Sequence, residues 1–78
     1  MPYTQDIVDE INILVRYNLD TTQEGIKVHK TAAHEIIAAT KRLYDKGLVT
    51  REYGGYLTSM GHEAAEQAQT VLNLLNPA

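Results

Sequence analysis

The 78-residue chain has no cysteine, tryptophan or phenylalanine and only two prolines. Without cysteine, neither disulfides nor the common thiolate zinc sites can hold the fold. The same absence fits a reducing compartment. No segment approaches the ~18 apolar residues of a membrane span. The opening residues Met1 to Asp6 lack the basic segment and apolar run of a secretory signal, so a cytoplasmic protein is expected. Catalytic inventory is missing too. There is no glycine-rich phosphate loop, no thiol nucleophile and no recognisable Ser/His/acid set. So short a chain also has little room for a pocket that buries a substrate. No enzyme and no cofactor are expected.

Metal binding is not expected either. His29 and His34 stand five apart and His62 lies on another element, so no histidine pair has the i,i+4 spacing that puts two ligands on one helix face. Repeats, low-complexity tracts and linkers are absent, and residues 1–78 read as one domain. A domain this small has a modest core, which makes a partner subunit the natural source of extra stability.

The net charge of −3 is unevenly placed. Residues 1–26 carry Asp6, Asp9, Glu10, Asp20 and Glu24 against Arg16 alone. Residues 27–51 carry Lys27, Lys30, Lys41, Arg42, Lys46 and Arg51 against Glu35 and Asp45. After Arg51 come Glu52, Glu63 and Glu66 with no cation. An anionic partner would therefore bind the middle third.

Periodicity and caps predict the elements. A first helix is expected from Thr4, its cap, to about Tyr17, with Ile7, Ile11 and Leu14 on one face flanked by Val8 and Val15. Asn18 and Asp20 suit its exit. Thr21 to Glu24 matches a capping box and predicts a short helix to about His29. Gly25 and the alternation Ile26-Lys27-Val28-His29 predict a strand over the same stretch; the helix is preferred. A longer helix is expected from about Ala32 to Lys46, with Thr31 as cap and Gly47 as stop. Its inner stripe is Ala32, Ile36, Ala39 and Leu43, with Ala33, Ile37 and Tyr44 beside it. From Leu48 to Thr58, two β-prone runs flank Gly54-Gly55, which reads as the centre of a type I′ hairpin with Tyr53 and Tyr56 at its tip. Thr58 or Ser59 then caps a last helix to about Leu75. The fold class is mainly α with a small β-hairpin.

The order of helix, short helix, long helix, hairpin and helix resembles the winged helix-turn-helix domain of small bacterial regulators of the MarR and ArsR types. Lys41 to Val49 resembles that family's join between recognition helix and wing. Gly55-Tyr56-Leu57-Thr58, with Gly61 beyond, is similar to its exit from the wing. The chain as a whole also resembles a family of small uncharacterised bacterial proteins. The resemblance implies double-stranded DNA as partner and a role in transcription regulation.

On that basis the second long helix is a recognition helix, whose N-terminal part meets the bases. Thr31, His34, Glu35 and Ala38 are then the base-proximal residues. Ala38 suits a thymine methyl and Glu35 suits cytosine N4. Lys27, Lys30, Lys41, Arg42 and Arg51 would serve phosphates, and Lys46 the helix end. The five tyrosines are scattered, so only the wing-tip pair Tyr53 and Tyr56 stands out as a contact set. In the last helix, Met60, Ala64, Ala68, Val71 and Leu75 form a stripe that either pairs with its twin in a homodimer or packs on the first helix. The competing expectation is a protein-interaction module without nucleic acid, favoured by the net charge, the acidic flanks and Glu52 in a short wing.

Overall fold

In the computed structural model, which describes residues 3–20 and 25–76, helices and a small sheet alternate. The order is α1 (Gln5–Leu14), β1 (Ile26–Lys27), α2 (His34–Asp45), β2 (Val49–Arg51), β3 (Gly54–Leu57) and α3 (Ser59–Leu75). The three strands form one antiparallel sheet in the order β1-β3-β2. The mainly helical layout with a hairpin wing is the one expected, with an earlier end to α1 and three further changes of detail.

Thr4 starts α1 as expected, its hydroxyl accepting from the Ile7 N–H at 3.2 Å. The helix ends earlier than its apolar pattern suggests. The amides of Arg16 and Tyr17 donate three residues back, to Ile13 and Leu14, which tightens the chain out of the α-helix. Asn18 then accepts from the Asp20 amide and turns the chain.

The first correction concerns the expected short helix. Its capping box, Thr21 to Glu24, lies outside the described residues. Beyond it Ile26 and Lys27 form a strand, not a helix, pairing with Gly55 and Gly54. The Val28 amide extends the ladder by donating to the Tyr53 carbonyl at 2.8 Å. Gly25 and the β-branched Ile26 and Val28 weaken the helix locally, and the edge of β3 satisfies the backbone instead.

The second correction is at the start of α2. The Ala32 amide donates to the His29 carbonyl, so a turn occupies residues 29–32. Thr31 sits in that turn and does not cap α2. The N-cap is Ala33, which makes no side-chain cap bond. The far end follows expectation. Gly47 has φ +79°, the Leu48 amide donates to Leu43, and the Gly47 amide donates to Tyr44, together a Schellman stop.

The third is the wing. Its turn falls on Glu52 and Tyr53, and Gly54 and Gly55 lie inside β3 with φ of 118° and 71°. No described non-glycine residue has positive φ, so the turn cannot be type I′. The two glycines absorb a register shift between the Val49–Leu57 and Arg51–Gly54 pairs. Thr50 Oγ1 accepts from the Tyr56 amide and fills the gap in the ladder.

Thr58 ties the wing to both long helices. Its hydroxyl accepts from the Gly61 amide to cap α3 and donates to the Gly47 carbonyl at 2.6 Å. A Cβ on Gly61 would stand 1.8 Å from the Leu48 carbonyl oxygen, so α3 enters flush against the end of α2. The core is Ile13, Leu14, Tyr17, Ala39, Leu43, Val49 and Ala65. Leu19, Ile26, Ile36, Leu48, Leu57 and Ala64 pack around it. Of the expected α1 stripe only Leu14 is fully buried. Ile13 and Glu10 take the inner face, while Ile7 and Ile11 are half-buried.

Candidate nucleic-acid interface

α2 divides sharply into an inner and an outer face. Ala39, Thr40 and Leu43 are buried, Thr40 satisfying its hydroxyl on the Ile36 carbonyl at 2.7 Å. His34, Glu35, Ala38, Lys41 and Asp45 are exposed, as their helical spacing requires. Thr31 is exposed too, on the turn before the helix. The four residues expected nearest the bases are therefore all uncovered.

The cations separate into two groups. Arg42 faces α1: its Nε donates to Glu10 Oε2 at 2.9 Å, and its Nη2 reaches the Asp6 carbonyl at 3.3 Å and carboxylate at 3.7 Å. Lys46 donates to the other Glu10 oxygen. Glu10 is almost fully buried. Burial pushes its pKa up, but the hydrogen bonds and charges of Lys46 and Arg42 outweigh that and hold it below the ordinary value. The bond to Glu10 likewise raises the pKa of Arg42, against some desolvation and with help from Asp6 and Asp9. Arg42, expected at a phosphate, thus clamps α2 to α1.

The other four cations of residues 27–51, Lys27, Lys30, Lys41 and Arg51, are exposed, and all lie near Tyr53. Lys27 Nζ stands 6.0 Å from the centre of the Tyr53 ring, at the outer limit of a cation–π contact. Lys30 and Lys41 line a groove of about 360 Å³ with Val28, His29, Ile37, Thr40, Glu52 and Tyr53. Arg51 shares a second depression with Thr50, Tyr53, Gly55 and Tyr56. Lys41 also meets Asp45 at 3.2 Å, an exposed i,i+4 pair that holds it weakly. Tyr53 and Tyr56 are each about half exposed.

Sequence reasoning missed the groove walls Val28, Ile37 and Thr40, because β1 and the wing turn come together only through the sheet. It missed Glu10 as well. A usable signal existed there, since Glu10 lies three and four residues from Ile7, Ile13 and Leu14 and so shares their inward face. The stripe on α3 splits: Ala64 and Ala68 are half-buried, whereas Met60, Val71 and Leu75 are exposed. Among the described residues no three metal-ligating side chains come together, and no helix is long and apolar enough to cross a membrane.

With this geometry in view, one comparison is decisive: a family model of unknown function matches residues 1–76. The chain belongs to the DUF5669 family. No curated protein and no solved structure matches it. Membership in DUF5669 assigns no activity.

Proposed function

We propose that this DUF5669 protein is a winged-helix DNA-binding protein acting in transcription regulation. One observation carries the reading: an exposed tyrosine at the wing turn lies among four exposed cations, beside the uncovered face of α2. Twelve residues of α2 span about 18 Å, and the major groove admits a helix of this kind. His34, Glu35 and Ala38 would then meet base edges, with Thr31 at the helix entrance. Lys27, Lys30, Lys41 and Arg51 would meet phosphates on either side. Arg42 is left out of the phosphate set because Glu10 and Asp6 hold it.

The test is binding to duplex DNA across a salt series, followed by fluorescence anisotropy. Four phosphate contacts give a log–log slope of about −3 to −4. Lys30→Ala and Lys41→Ala should each reduce that slope by about 1. A pair of variants that binds as wild type does would remove α2 from the interface.

A second reading is a protein-interaction module. The groove favours it through its apolar side chains Val28, Ile37 and Tyr53 and the acidic Glu52 at the rim. Under that reading DNA leaves the anisotropy flat, while Ile37→Glu abolishes capture of a protein partner.

A further inference from the structure

We infer that the depression between the end of α1 and the turn before α2 binds a phosphate group, with Arg16 as its principal contact. Arg16 is the one cation of the acidic first third of the chain. The fold sets it beside the basic middle. Together with Lys27, His29 and Thr31 it lines a depression of about 220 Å³.

The local structure explains how the four meet. The Arg16 and Tyr17 amides tighten the chain at the end of α1, burying Tyr17 in the core and leaving Arg16 exposed. Across the depression, the Val28 amide holds the segment after β1 to the Tyr53 carbonyl, and the Ala32 amide closes the turn on His29. Lys27, His29 and Thr31 are thereby presented in solvent on a backbone fixed at both ends.

Charge and donor chemistry select the ligand. No acidic side chain lines this depression, whereas Glu52 stands at the rim of the groove beside α2. Among the described residues neither Arg16 nor Lys27 meets a carboxylate, while Lys41, Arg42 and Lys46 each do. Arginine offers a planar fork of N–H donors, lysine a point charge, and histidine and threonine one donor each. Donors from four side chains suit the several oxygens of a phosphate better than the two of a carboxylate. Val28 and Ile36 line the rest, and apolar walls strengthen charged contacts. The volume lies below the roughly 300–1,000 Å³ of sites that bury a whole drug-sized ligand. The depression therefore holds the phosphate and leaves the group that carries it outside.

The phosphate comes either from a nucleic-acid backbone or from a free phosphate ester, so the site does not depend on the DNA reading. Two readouts on the full chain test it. In the first, inorganic phosphate is titrated at constant ionic strength while amide NMR shifts are followed. Residues 16 and 27–32 should shift and saturate in the millimolar range, and chloride or acetate should not reproduce the change. Arg16→Ala should weaken phosphate binding about 10-fold or more while leaving the helical circular dichroism intact. Arg16→Lys, which keeps the charge and loses the fork, should fall between. The second readout is the salt slope on random-sequence duplex DNA. A backbone phosphate seated here adds about 1 to the slope of the four outward cations, and Arg16→Ala removes that increment. Lost phosphate shifts with an unchanged DNA slope, or with no DNA binding by wild type, assign the site to a free phosphate ester. Shifts that chloride reproduces, together with a DNA slope that Arg16→Ala leaves unchanged, overturn the inference.

Discussion

Two groups of cations on or beside α2 look alike as sequence and differ completely as structure. Arg42 and Lys46 turn inward to a carboxylate that is nearly fully buried on α1, while Lys27, Lys30, Lys41 and Arg51 stand in solvent around Tyr53. The difference teaches that a basic stretch is not a basic surface. Glu10 draws two of the six cations of the middle third into a helix clamp, though both keep access to water. What remains outside is smaller than the charge count implies, and it is grouped around one aromatic ring.

That division can be broken from the outside first. Lys30→Ala with Lys41→Ala should weaken duplex DNA binding about 10- to 100-fold at 0.1 M salt, and anisotropy would measure it. The midpoint of urea unfolding should hardly move, because surface changes of this kind fall within about 0.5 kcal/mol. A large loss of stability would mean that these lysines belong to the clamp class after all.

From the inside, Glu10→Ala should cost about 1–2 kcal/mol in urea unfolding. The figure sits at the low end for charged hydrogen bonds because both cations keep access to water. The DNA salt slope of the variant should match wild type, since Arg42 lies beside α1. A steeper slope would show that releasing Arg42 adds a phosphate contact.

The clamp also sets an acid limit. Glu10 is held below its ordinary pKa in the folded chain, so its stabilisation is complete above the unfolded value of about 4.3. It is lost as the pH falls through the lower, folded value. Unfolding curves taken from pH 6 downward should show that loss in wild type and a shallower one in Glu10→Gln.

The smallest expected effect compares buried with exposed tyrosine. The Tyr17 hydroxyl is buried with no hydrogen-bond partner among the described residues, and burial pushes its pKa up to about 12. Its neutral form is the one that folds. Stability is therefore unaffected below the unfolded value of about 10 and falls as the pH rises from there toward 12. Tyr17→Phe should be neutral or stabilising by up to about 1 kcal/mol at pH 7 and should remove part of the alkaline loss, measured by urea unfolding at both pH values. Tyr53→Phe should change neither.

Much of the helical frame was legible because its causes are local. Thr4 and Thr58 cap, Gly47 stops a helix, and aliphatic spacing marks α1, α2 and α3. The misses share another cause. Ile26 and Lys27 become a strand only because β3 offers an edge, and Gly54-Gly55 sits beyond the wing turn because the register shift needs it there. The pairing of Glu10 with Arg42 and Lys46 spans more than thirty residues, so no local pattern announces it. The outward residues His34, Glu35 and Ala38 were legible from helical spacing, whereas Thr31, read as the cap of α2, sits exposed in the turn before it. The groove that adjoins α2 was not, since Val28 and Tyr53 reach it through the sheet.

The most direct test of the central claim is the salt dependence of wild-type binding to random-sequence duplex DNA. Four outward cations give a micromolar-range Kd that weakens steeply with salt, with a slope of about −3 to −4. Anisotropy that stays flat at low salt and high protein concentration would contradict the account and leave the cation ring around Tyr53 as a solvated face.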